Sequence, residues 1–145
     1  MVIDSDILSE FRAESNGLLK ELKEIVSRLE TETGRFPEKL LTEYAQKIDR
    51  IMGAAKTIGV LDPDHIGLKS IGTLAELCKS IGYKAATKRQ PALMPFFAAF
   101  LSDTIEVIES LVKNLDDTEA SRIIASEFSS ILQGRLAWLK SKVEA

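Results

Sequence analysis

The side chains with the widest chemical repertoire are few. The chain has 145 residues and holds one histidine, His65, and one cysteine, Cys78. These two cannot build a zinc centre by themselves, and no carboxylate spacing supplies the missing donors, so no metal is expected. No Gly-rich turn follows a strand, so a phosphate-cradling nucleotide site has no support and no cofactor is expected. His65 stands just after Asp62-Pro63-Asp64, near a helix start. It reads there as an exposed or capping residue, with a catalytic imidazole as the alternative. Cys78 occupies an apolar helical position and reads as a reduced, buried thiol, a reactive one being the alternative. Serines lie mostly on polar helix faces, so an acyl-transfer triad finds no natural home. These residues point to no enzyme.

A more informative pattern lies in the run Ile48-Asp49-Arg50-Ile51-Met52-Gly53-Ala54-Ala55-Lys56-Thr57-Ile58-Gly59. A glycine inside a helix costs ~1 kcal/mol relative to alanine, so Gly53 asks for a reason. If Ile48, Ile51, Ala55 and Ile58 face inward, then Asp49, Gly53 and Lys56 point outward along one strip. A spot without a side chain on such a strip lets another protein's backbone approach closely. Alternatively Gly53 relieves crowding against a neighbouring helix, or is merely tolerated.

Helices must carry these residues, because apolar residues recur in steps of three and four and no alternating runs suggest strands. The first helix is expected from about Asp6 to Thr33, with Leu8, Phe11, Leu18, Leu22, Ile25 and Leu29 on one stripe and Ser15 in its gap. Gly34 ends it. The second opens at Pro37 and closes at Gly59, with Leu41, Tyr44, Ile48, Ile51, Ala55 and Ile58 inward. The third runs from about Asp64 to Ala86 on Ile71, Leu74, Cys78, Ile81 and Ala85. The basic stretch Lys84 to Arg89, beside Pro91, reads as a solvated loop. The fourth starts near Pro91 or Pro95 and ends near Leu115, burying Phe97, Leu101, Ile108, Leu111 and Leu115 with Thr104 between them. Asp116-Asp117-Thr118-Glu119 supplies a break and a fresh cap. A fifth helix, residues 118–142, carries Ile124, Phe128, Ile131 and Trp138.

Long helices with short polar turns favour antiparallel neighbours, and near-heptad stripes suit shallow crossing angles. The expected fold is all-α: an antiparallel, up-down four-helix bundle with an additional C-terminal helix. One domain over residues 1–145 is expected, with its core at about 6–115. Hydrophobic residues make up 45% and charged residues 28%, a globular balance. A net charge of -3 argues against binding nucleic acid through a basic stripe. No apolar run approaches the ~20 residues of a membrane span, so no membrane is expected. The opening Met-Val-Ile-Asp-Ser-Asp does not follow the order of a signal peptide, and the expected location is cytoplasmic.

The sequence resembles the histidine-phosphotransfer (HPt) domain found at the N-terminus of chemotaxis histidine kinases and in related phosphorelay proteins. Its first helix, with Phe11, Glu14, Leu18, Leu22 and Leu29-Glu30, is similar to that family's opening helix. The second is similar to the signature helix, where the phosphorylated histidine is followed by a lysine three residues on and a glycine four on. Gly53, Ala54, Ala55, Ile58 and Gly59 match the small-residue close of that signature, and Leu74-Ala75-Glu76-Leu77-Cys78 resembles the third helix. The resemblance covers about residues 6–115, and some relatives share a further helix. With Gly53 and Gly59 as anchors, Asp49 takes the histidine position and Met52 the lysine position. Phosphotransfer needs an exposed imidazole nucleophile and a cation beside the phosphoryl oxygens. Asp49 and Met52 offer neither, and Lys56 lies two turns beyond Asp49.

The resemblance therefore implies a surviving docking surface without the chemistry. The expected function is a non-catalytic adaptor in two-component signal transduction, binding a response-regulator receiver domain or a histidine kinase. Gln46, Asp49, Arg50, Met52, Gly53 and Lys56 would form the partner-binding strip. Two alternatives stand beside it. One is an active phosphotransfer protein that uses His65. The other is an oligomerising helical bundle that self-associates through its fifth helix, whose Ile123, Ile124, Phe128, Ile131, Leu132, Leu136, Trp138 and Leu139 offer more apolar surface than one face hides.

Overall fold

Apolar residues at three- and four-residue steps give each helix one dry face, and burying those faces together builds the core. A computed structural model describes residues 3–31 and 36–144. Its elements are α1 (Ser5–Thr31), α2 (Glu38–Gly59), α3 (Ile66–Lys88), a 3-10 turn (Pro91–Leu93), α4 (Met94–Lys113) and α5 (Thr118–Glu144). Among the described residues there is no strand. The expected α1 stop at Thr33 and Gly34 lies outside them.

The helix ends follow local chemistry. The Asp4 carboxylate accepts from Asp6 N at 2.7 Å before α1. Pro37 precedes α2, where its carbonyl accepts the Leu41 N–H at 3.1 Å. Asp117 Oδ1 accepts from Ala120 N at 3.0 Å, so the acidic break before α5 does supply a cap. The basic stretch is not a loop: α3 continues through Lys88, and Ala85 and Ala86 are buried. Those two alanines extend the inner stripe, while Lys84 before them is half-buried and Lys88 after them is exposed. Arg89 then ends the helix in the left-handed region, at φ 50°.

α1 packs against α2 and α4, α3 packs against the same two helices, and α5 lies against α3 and α4. Ion pairs are met in opposite order along neighbouring helices. Glu14 and Glu21 of α1 pair with Arg50 and Lys47 of α2, and Arg12 and Lys23 pair with Asp116 and Glu109. Leu22, Leu41, Ile48, Ile51, Ile71, Leu101 and Ile108 are wholly buried at the centre. Ser15 and Thr104 fill the gaps in their apolar stripes and are buried too. The closest pairing is α2 with α3, and small residues permit it. A Cβ on Gly82 would stand 3.5 Å from the Ala45 Cβ and 3.6 Å from the Leu41 carbonyl oxygen, and one on Gly72 would stand 3.3 Å from the Lys56 Cγ.

One further expectation needs correction. Pro91–Lys113 is long and apolar enough to cross a bilayer, with a mean hydropathy of 1.4, so the chain does hold one such stretch. Here its apolar side chains Phe97, Leu101, Ile105, Ile108 and Leu111 are spent on the core shared with α1 and α3. In α5 the apolar residues divide between two sides. Among the described residues Ser121, Leu132 and Leu139 are buried and Ile124 is half-buried, whereas Phe128, Ile131 and Trp138 are exposed. Ser121, Leu132 and Leu139 share one helical stripe, and that stripe is the one seated between α3 and α4.

Candidate docking surface on α2 and α3

The geometry of the strip follows from helical period. Ile48, Ile51 and Ala55 are buried, which turns Gln46, Arg50, Gly53 and Lys56 to solvent and leaves Asp49 half-exposed. Nothing lies within 4 Å of a Cβ built on Gly53. Crowding against a neighbour therefore does not explain this glycine, whereas Gly72 and Gly82 of α3 do sit at close approaches. Met52 is less available than the other strip residues, because it is half-buried and packs against the core.

The charges around Gly53 are tied down on both sides. Towards α1, Arg50 reaches Glu14 at 3.2 Å. Towards α3, Lys79 Nζ donates to Asp49 Oδ1 at 2.8 Å, and Lys56 reaches Glu76 at 3.2 Å. The hydrogen bond to Asp49 is the main cause that raises the Lys79 pKa. The result is a bare stretch of helix backbone at Gly53 flanked by fixed ion pairs. Past Lys56 the surface falls into a cleft of ≈ 440 Å³ lined by Lys56, Gly59, Val60, Pro63, Lys69 and Gly72. Val60 at its rim is 75% exposed, the most open large apolar side chain among the described residues.

Chemically, Asp49 presents a carboxylate engaged by the Lys79 ammonium. An imidazole is not at hand. His65 caps α3, its Nδ1 accepting from Leu68 N at 3.2 Å. Cys78 is buried beside Tyr44 and Thr104, and burial pushes its thiol up to about 12. It holds no thiolate at neutral pH and sits in the core as a small apolar residue. Among the described residues, no three His, Cys, Asp or Glu side chains come together to hold a metal ion.

Sequence reasoning had placed the strip on α2 alone. Glu14, Glu76 and Lys79, which complete it, come from the two flanking helices, and nothing in the sequence places them beside the strip. Comparison with known proteins gives no relative to set beside this geometry, since no protein-family model, curated protein or solved structure matches the chain.

Proposed function

We propose that this chain is an HPt-like adaptor without a phosphoacceptor, and that it docks a receiver domain or a histidine kinase of a two-component pathway on the cytoplasmic side. The observation that carries the reading is Gly53. It sits inside a helix, packing does not require it, open space lies over it, and ion pairs frame it. A mid-helix glycine costs stability, so its use on an exposed strip is best explained by close approach of a partner's backbone.

The arrangement of the helices supports the same reading. α1 to α4 form a closed ring of neighbours with opposed ion-pair order, which suits an antiparallel, up-down four-helix bundle with α5 added outside it. Docking would be of modest affinity, because the surface is mostly polar and its charges are already paired. The test uses purified receiver domains and kinase domains from the source cell, each titrated against the native chain and Gly53→Arg. At least one should bind the native chain and lose binding to the variant. If none binds, or if the variant binds equally well, the reading fails.

A further inference from the structure

The second face of the molecule to ask for a partner is α5. Phe128 is 39%, Ile131 49% and Trp138 42% exposed, and Phe96 of α4, itself 50% exposed, packs against Trp138 with ring centroids 4.8 Å apart and planes tilted by 57°. Arg135, paired with Asp103, borders both the hollow at Phe128 and Ile131 and the one at Phe96 and Trp138, so these side chains form two apolar groups along α5, more than scattered surface residues explain. Its outward stripe steps by threes and fours through Ile124, Glu127, Ile131, Gly134 and Trp138, the seam spacing of paired helices. Gly134 is exposed, with nothing within 4 Å of an added Cβ. The charges are segregated along the helix. Glu119 and Glu127 lie in its first half, where Arg122 is occupied by Glu119, while Lys140, Lys142 and Arg135, which pairs with Asp103 of α4 yet stays half-exposed, lie in its second half.

We propose that this face binds a second copy of the chain, α5 against α5, antiparallel across a twofold axis at Ile131. In that register Ile131 meets the partner's Ile131, and Phe128 lies over the partner's Gly134, where the missing side chain makes room for the ring. Glu127 faces the partner's Arg135, and Ile124 stands beside the partner's Trp138. Twofold symmetry makes each of these contacts twice. The charge pattern selects the direction. A parallel pairing would set Glu127 against Glu127 and Arg135 against Arg135, whereas the antiparallel one sets acid against base. α5 makes no contact with α1 or α2 among the described residues, so this surface is separate from the Gly53 strip and can be occupied independently of it.

Sedimentation equilibrium of the full chain from about 1 μM to about 1 mM tests the association. The native chain should form a dimer. Ile131→Lys should be a monomer with unchanged helical circular dichroism, since Ile131 is not part of the buried core. Glu127→Arg should raise the dissociation constant by roughly tenfold or more, because like charges then face each other twice. Ile131→Cys should cross-link to a dimer on mild oxidation, and Ser126→Cys, exposed on the opposite side of α5, should not. A native chain that stays monomeric overturns the proposal. So does a dimer that survives Ile131→Lys, is unmoved by Glu127→Arg, or cross-links equally at both cysteines.

Discussion

Lys79 of α3 donates to the Asp49 carboxylate of α2 at 2.8 Å, across the most extensive helix pairing in the molecule. This pair occupies the place where the resemblance would put a phosphorylated imidazole. A phosphoryl group there would carry about -1.5 to -2 charges and three acceptor oxygens. Asp49 carries one charge, and Lys79 offsets it. The position is therefore poorly suited to imitate a phosphorylated state.

The Asp49–Lys79 pair should respond to alkali. The folded state favours the Lys79 ammonium, so its contribution is fully present below the ordinary lysine value of 10.5 and is lost as pH rises through the raised value. Both side chains are partly solvated, which keeps that contribution small. Lys79→Ala should leave the melting temperature at neutral pH nearly unchanged while moving the NMR signal of the Asp49 carboxyl carbon. An unmoved carboxyl signal would show that the two groups are not paired in solution.

The same substitution at two glycines should have opposite signs. Gly53→Leu adds a good helix former over open space and should stabilise the chain by about 0.5–1 kcal/mol. Gly82→Leu forces a branched side chain between Ala45, Tyr44 and the Leu41 carbonyl, and should destabilise it by about 1–3 kcal/mol. Urea denaturation of both variants measures this directly. Destabilisation by Gly53→Leu would mean that Gly53 is packed.

These glycines also show how far the sequence could be read. Three- and four-residue stripes made all five helices legible, and they placed even Ser15 and Thr104 inside, because a gap in a stripe still points inward. The outward direction of Asp49, Gly53 and Lys56 followed from the same period. Which glycine is crowded did not follow, since Gly53, Gly72 and Gly82 differ only in what another helix brings near. The ion pairs to Glu14, Glu76 and Lys79 were hidden for the same reason. The inner face of α5 was not legible because its apolar residues surround more than one side, so period alone could not choose Leu132 and Leu139 over Ile131 and Trp138. Lys84 to Arg89 looked like a loop because charge and the nearby Pro91 outweighed two small alanines that continue the buried stripe.

Burial of Cys78 predicts a second alkaline effect. Its thiol is held neutral up to about 12 in the fold, whereas an unfolded cysteine ionises near 9.0. The raised folded value means stability is complete below 9.0 and declines as pH climbs towards 12, by at most about 1.4 kcal/mol per pH unit from this group. Tyr44, buried and also raised, adds to the loss at still higher pH. Cys78→Ala should flatten the fall in urea midpoint between about pH 9 and about pH 10, below the range where tyrosine ionises. An equally steep fall in that variant would contradict the burial of the thiol.

His65 should prove to be structural. Replacing it with alanine removes the acceptor for Leu68 N and should cost about 0.5–2 kcal/mol, while His65→Asn or His65→Asp, both good caps, should recover most of it. Thermal denaturation of the three variants checks the ranking. If alanine and asparagine are equally damaging, the cap is not what the histidine supplies.

The central claim, that the Gly53 strip is a docking surface, is tested most directly by NMR titration of the isotope-labelled chain with receiver and kinase domains from the source cell. The account predicts amide shifts concentrated at residues 46–56 of α2 and 76–83 of α3, and abolished by Gly53→Arg. Shifts confined to α5, or no shifts with any of these domains, would contradict it.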